Sequence, residues 1–267
     1  MLRQRLITAA IGLPILVSSV WFGDPWFSIL WAVATGMSAW EIYAMARASN
    51  RRPLRWFGVA WTILMAMSPH LPGAYTVPLL FSLAVIVPLI WLMIRRPLDM
   101  AFANWGWTLL GIFYVGWLVS YWVSLRGLED GRNWVIWGFF VVFASDTFAY
   151  FVGKAWGHHL MAPSISPKKT WEGAAGGVFG SLLASVLFGS ILFPVLEYPE
   201  ALVLGILGSI LAQAGDLCGS LLKRKLGCKD SGKFLPGHGG FIDRLSSLLF
   251  VGPLLYYGVL GYLGILF

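Results

Sequence analysis

The sequence predicts an all-α protein, a polytopic transmembrane helical bundle of about nine spans with its N-terminus on the cytoplasmic side. Three observations carry that reading: the composition, the continuity of the apolar runs, and the placement of the basic residues. Of 267 residues, 58% are hydrophobic and only 12% are charged, with a mean hydropathy of +0.75. A soluble domain carries about a quarter charged residues, so no water-soluble surface can be built from this chain. Crossing a hydrocarbon core takes about twenty apolar residues, and inside lipid every backbone N–H and C=O must be satisfied within its own segment or a closed barrel. A transmembrane barrel would alternate apolar and polar residues over segments of about ten. The runs here are continuous, so the spans are expected to be helices.

Read in order, the runs lie at about 6–22, 26–46, 56–70, 74–94, 105–125, 134–153, 175–193, 201–217 and 247–266. The first follows Arg3 and Arg5 but lacks an A-x-A cleavage site, which makes it a retained anchor rather than a signal peptide. The third is short for a span and suits a tilted or re-entrant segment. Trp21, Trp26, Trp56, Trp105, Trp134 and Trp137 sit near span ends, where amphipathic rings anchor at headgroup level. With the N-terminus inside, all of the 19 Lys and Arg except Arg126 and Arg132 fall on the cytoplasmic side. That is the positive-inside bias expected of an inner or plasma membrane protein. It accounts for most of the net charge of +7 without nucleic acid as a partner. Cys218 and Cys228 lack a compact zinc spacing with His238 and are expected to be reduced thiols.

The chain divides by character. Residues 1–104 form an N-terminal transmembrane region with short Arg/Pro turns. Residues 105–267 form a C-terminal transmembrane region with two long cytoplasmic loops, 154–174 and 218–246, rich in Gly, Pro, Ser, Lys, Asp and His. Three acids punctuate this half: Asp146 inside the sixth span, Asp216 at the end of the eighth, and Asp243 ahead of the ninth. A carboxylate inside a membrane generally faces a bundle interior or a water-filled cavity. Three such acids on successive elements could converge on Mg²⁺, which is commonly held by one or two carboxylates plus substrate phosphates. Alternatively, each acid pairs with a neighbouring Lys or Arg. In the first loop, Ser164-Ile165-Ser166-Pro167-Lys168-Lys169-Thr170 sets hydroxyls beside paired ammonium groups, a composition suited to phosphate oxygens. A clamp on lipid headgroups has the same composition. The second loop reads Lys223-Arg224-Lys225, then Lys229-Asp230-Ser231-Gly232-Lys233, then Pro236-Gly237-His238-Gly239-Gly240. Its glycines permit tight turns and close backbone approach to an anion. There is no G-x-x-x-x-G-K-[ST] phosphate loop. The residues by themselves point to a membrane-embedded site handling a phosphorylated, Mg²⁺-bound ligand, and name no substrate.

At Ser220–Arg244 the sequence resembles the phosphatidate cytidylyltransferase (CDP-diacylglycerol synthase) family, whose signature runs S-x-x-K-R, then K-D, then P-G-H-G-G, an apolar pair and D-R. Here it reads SLLKRKLGCKDSGKFLPGHGGFIDRLSS, and the blocks SDTFAYFVGKAWGHH, SISPKKTWEG and QAGDL precede it in the family's order. The resemblance is specific over about 145–246. It implies transfer of a cytidylyl group from CTP to phosphatidic acid, with CDP-diacylglycerol and pyrophosphate as products and membrane lipids around the site. It further implies Asp216, Asp243 and Lys169 as catalytic residues, with Asp216, Asp243 and Asp146 holding Mg²⁺ and a second cation kept open. Ser166, Lys168, Lys223, Arg224, Lys229, Asp230, His238, Gly239, Gly240 and Arg244 would bind substrate. A homodimer is kept open as the assembly. Two positions depart from the pattern: Ser246, where the family usually has a second Asp, and Gly219, where an acid is common. These departures keep a catalytically altered or silent relative among the alternatives. A CTP-dependent lipid kinase is another, and a transporter is a third.

Overall fold

The computed structural model describes residues 2–94, 100–193, 198–232, 234 and 239–264, with backbone only for residues 2–7, 9 and 198. Helices dominate: α1 (Leu2–Phe22), α2 (Trp26–Ala48), α3 (Arg55–Ala66), α4 (Thr76–Ile94), α5 (Ala101–Leu110), α6 (Leu118–Arg126), α7 (Gly131–Trp156), α8 (Trp171–Leu192), α9 (Tyr198–Lys225) and α10 (Ile242–Tyr262). A π-helical segment, Gly111–Trp117, joins α5 to α6 without a break. Among the described residues, six helical stretches are long and apolar enough to cross a membrane: residues 76–94, 101–126, 131–156, 171–192, 199–225 and 242–262. The protein is therefore a multi-pass helical membrane protein. Of the three other expected spans, α3 has only 12 residues, roughly 18 Å at about 1.5 Å per residue, too short to cross upright. The apolar stretch of α1, Ala10–Phe22, is likewise short.

Two differences from the expected boundaries have one cause. Hydropathy ends a helix where charge begins, whereas Leu, Lys and Arg are good helix formers. So α9 runs on through Lys223, Arg224 and Lys225, and α7 runs on through Lys154. At 28 residues, α9 is roughly 42 Å long, beyond a hydrocarbon core of about 30 Å. Within the loop expected at 154–174, β1 (Leu160–Ala162) and β2 (Ser166–Thr170) form an antiparallel hairpin, with Leu160 opposite Thr170 and Ala162 opposite Ser166. It is a small β addition to an otherwise helical architecture.

The chain forms two compact units, each built from two stretches of sequence. The first comprises Met1–Ser124 with Lys225–Asp243; the second comprises Leu125–Arg224 with Arg244–Phe267. The first unit packs around Tyr43 of α2. Its ring fills the space where a Cβ on Gly58 or Gly111 would stand, and its hydroxyl donates to the Thr108 carbonyl at 2.8 Å. The backbone N–H groups of Arg52 and Leu54 donate to Asn104 Oδ1 and Thr108 Oγ1 at 2.7 and 3.0 Å. The α2–α3 turn is thus tied to α5 through polar groups that lipid could not satisfy. Ser49 Oγ donates to the Leu226 carbonyl at 2.8 Å, which fastens the start of the 225–243 loop to the end of α2.

The second unit relies on small residues. Gly176 of α8 lies on Val152 and Gly180 on Phe148, so α7 and α8 approach closely, the usual device where helices associate in lipid. Buried hydroxyls tie both helices to α9: Ser145 of α7 and Ser209 share a hydrogen bond of 2.7 Å, and Ser181 Oγ of α8 donates to the Gly205 carbonyl at 2.8 Å.

Candidate functional site

In the second unit, Thr170 ends β2 and caps α8, its hydroxyl accepting from Gly173 N at 3.2 Å. That cap places Lys168 and Lys169 immediately before a helix N-terminus, where free N–H groups and the helix dipole favour anions. Lys169 Nζ lies 2.7 Å from Asp216 Oδ2, with the two side chains 25% and 39% exposed, and it also donates to the Gln213 carbonyl at 3.4 Å. Both partners therefore stay within reach of a ligand. Asp216 sits inside α9 rather than at its end. Next to it, Gly215 lies against the carbonyl oxygen of Ser246, in the space a Cβ would need, so α9 and α10 meet backbone to backbone at this level.

Asp146 of α7 lies within electrostatic reach of Asp216, Lys169 and Arg244, and its Oδ2 accepts from Ser247 Oγ at 3.4 Å. It is exposed rather than packed, as an intramembrane carboxylate open to water or ligand should be. Asp146, Lys169, Asp216 and Arg244 thus form one cluster. Ser247 and Gln213 belong with them. Gln213 Nε2 donates to Ser209 Oγ and to the Ala174 carbonyl at 3.0 and 3.2 Å, which holds α9 against α8 one turn before Asp216.

At the hairpin, Arg224 Nε donates to the Ile165 carbonyl at 3.2 Å, so one expected phosphate ligand also ties the end of α9 to the β1–β2 turn. Glu172 accepts from the His158 and His159 backbone N–H groups at 3.2 Å each and meets His159 Nδ1 at 2.5 Å, closing the hairpin's base. Ser166 is half-buried, Lys168 and Arg224 are exposed, and Lys223 is half-buried. Ser246 is buried, at 2% exposure.

In the first unit, Asp243 has a task beyond the expected one. Its Oδ2 accepts from Ser231 N, Ser231 Oγ and Gly240 N at 3.1, 3.0 and 3.0 Å. The Gly240 amide, expected to face a phosphate, is engaged by this carboxylate. Gly239 takes the left-handed φ of +84°, which glycine adopts without strain. Lys229 and Asp230 are exposed, and His238 lies outside the described residues. The sequence reading missed Glu41 of α2 altogether. It is 1% exposed, and its oxygens accept from Phe241 N, Ile242 N and Ser231 Oγ at 2.9, 3.1 and 2.8 Å. A lone acid in the apolar run Ser38-Ala39-Trp40-Glu41-Ile42 was the available signal.

Among the described residues, no group of three or more His, Cys, Asp or Glu is placed to hold a metal. The two carboxylates Asp146 and Asp216 offer hard oxygen donors and, with substrate oxygens completing the shell, fit Mg²⁺.

The model of the cytidylyltransferase family matches residues 3–261. A phosphatidate cytidylyltransferase of Synechocystis sp. is 35% identical over 289 aligned residues, which cover 96% of each chain. The protein of that name from Brucella abortus is 34% identical, covering 96% of this chain and 92% of its own. The Bacillus subtilis one is 30% identical, covering 96% and 97%.

Proposed function

The chain belongs to the cytidylyltransferase family, and we propose that it catalyses the reaction its relatives are named for, transferring a cytidylyl group from CTP to phosphatidic acid. The observation that carries this reading is the Lys169–Asp216 pair at 2.7 Å, with Asp146 and Arg244 in electrostatic reach. A phosphate oxygen of the lipid attacks the α-phosphorus of CTP, the bond from that phosphorus to the β-phosphate oxygen breaks, and pyrophosphate leaves. The lipid phosphate is already anionic at neutral pH, so no protein nucleophile is required. What the protein must supply is positioning of two anions and neutralisation of their charge.

Asp146 and Asp216 are the residues that would hold Mg²⁺, whose chemistry is to neutralise the triphosphate and polarise its phosphoryl oxygens. Lys169 pairs with Asp216, and the same ammonium can take a phosphate oxygen in its place. Lys168, Lys223, Arg224, Arg244 and Lys229 add positive charge for the triphosphate and the lipid phosphate, with Ser166 as a hydroxyl donor and Asp230 and His238 as further substrate contacts. Gly239 and Gly240 allow close backbone approach to a phosphate. Asp243 holds Ser231 and Gly240. The reaction is tested by incubating purified protein with CTP, phosphatidic acid and Mg²⁺. Pyrophosphate release that requires both substrates and the cation is expected; release unaffected by omitting the lipid contradicts the reading.

The site is proposed to face the cytoplasm, with the N-terminus on the same side and the C-terminus outside, on the strength of the basic-residue distribution. Single cysteines at the exposed Ser164 and Lys229, in a background lacking Cys218 and Cys228, should resist an impermeant thiol reagent added to intact cells and react once the membrane is opened. Labelling of either in intact cells, with a cytosolic control thiol unlabelled, reverses the orientation.

A further inference from the structure

We propose that Glu41 is a positioning residue: its carboxylate fixes Ser231 and the Phe241–Ile242 backbone and thereby sets the geometry in which Gly239 and Gly240 meet substrate phosphate. The inference rests on the reading above, that these glycines approach phosphate. An ionised carboxylate removed from water is stable only where hydrogen bonds replace its hydration. Glu41 is 1% exposed, and the replacements all come from one loop. Oε1 accepts from Phe241 N at 2.9 Å, and Oε2 accepts from Ile242 N at 3.1 Å and Ser231 Oγ at 2.8 Å. Phe241 and Ile242 carry N–H groups at the start of α10 that no intrahelical carbonyl can satisfy. A carboxylate from α2 therefore caps a helix about 200 residues away in sequence.

Ser231 links this carboxylate to a second one. Its hydroxyl lies 2.8 Å from Glu41 Oε2 and 3.0 Å from Asp243 Oδ2, and its N–H donates to Asp243 as well. The two ends of the loop, Ser231 at one and Gly240 to Asp243 at the other, are thus drawn together around two acids. The glycines are matched to this arrangement. A Cβ on Gly232 would stand 2.7 Å from Glu41 Oε1, and one on Gly240 would collide with Ser231 Oγ and Glu41 Oε2. Gly232 and Gly240 are glycine because Glu41 occupies the space beside them.

The test uses the full-length protein in detergent or vesicles. Glu41→Gln keeps size and shape but sets an NH₂ against N–H donors. It should unfold near the wild-type temperature and lower kcat about 10- to 100-fold, the order expected when groups are misplaced by about 1 Å, with a smaller change in KM for CTP. Glu41→Asp, which keeps the charge, should recover part of that loss. Ser231→Ala should act in the same direction, and combining it with Glu41→Gln should add little, since both act through one loop. Hydrogen exchange across 231–243 should quicken in Glu41→Gln. Wild-type kcat in Glu41→Gln overturns the proposal, as does a loss that merely tracks the fraction of folded protein. If the wild type itself has no turnover, the proposed reaction fails, and exchange then decides this inference: an unchanged rate across 231–243 in Glu41→Gln overturns it.

Discussion

Asp216→Asn should lower kcat by about 10²–10³-fold, the usual scale for removing one preorganised charge from a reacting phosphoryl group. The amide keeps the size of the side chain but gives up the charge that binds Mg²⁺ and holds Lys169 at 2.7 Å. Excess Mg²⁺ should restore part of the rate, because substrate oxygens and Asp146 still supply ligands. Lys169→Met should cost a similar factor but raise KM for CTP, leaving the Mg²⁺ requirement nearly unchanged. Since the two residues work as one pair, the double variant should be little worse than the poorer single one. Full turnover at limiting Mg²⁺ in properly inserted Asp216→Asn removes that residue from the metal role.

Gly215→Ala is expected to be the second most damaging change, although it adds a single methyl group. Inside a helix, replacing Gly by Ala ordinarily stabilises by about 0.5–1 kcal/mol. Here the new Cβ would run into the carbonyl oxygen of Ser246, and a backbone atom cannot rotate aside. Forcing extra volume into a packed contact costs about 1–3 kcal/mol, which outweighs the helical gain. The α9–α10 contact must open, and Asp216, one residue on, moves with it. We expect a lower unfolding temperature together with at least about tenfold slower turnover. Gly106→Ala is the control: it lies inside α5 and a Cβ there meets nothing within 4 Å, so the rate should match the wild type while the stability shows the ordinary helical gain of about 0.5–1 kcal/mol. Equal behaviour of Gly215→Ala and Gly106→Ala would show that the α9–α10 contact does not govern the site.

Much of this was legible in the residues, and the exceptions share a physical cause. Long continuous apolar runs mark helices in lipid because the backbone must be satisfied and a barrel would alternate apolar and polar residues, so α4 through α10 could be placed before any coordinates. Charge-rich continuations such as Lys223-Arg224-Lys225 could not be, because hydropathy measures the membrane and not the helix. Asp146 and Asp216 stood out as acids in or beside apolar spans, and Lys169 as one of the paired lysines of the first loop; that Lys169 pairs with Asp216 is seen only in the structure. Glu41 escaped because the meaning of a single acid in an apolar helix depends on its partner, and that partner lies in a loop about 190 residues further along. Asp243 shows the same limit: its motif identifies it as important, but only its bonds to Ser231 and Gly240 show it holding a loop. The hairpin at Leu160–Thr170 arises from pairing across a Pro- and Ser-rich turn that carries no strand periodicity.

The most direct test follows the α-phosphorus. CTP labelled at the α-phosphate in one experiment and at the γ-phosphate in another is given to the purified protein with phosphatidic acid and Mg²⁺. Cytidylyl transfer at the Lys169–Asp216 site places the α label in the lipid product and the γ label in pyrophosphate, and Asp216→Asn suppresses both signals together. Recovery of the γ label in lipid with the α label in CDP would make the protein a CTP-dependent lipid kinase. Absence of either product from folded, membrane-inserted protein would make it a silent relative. Each of these outcomes contradicts the account given above.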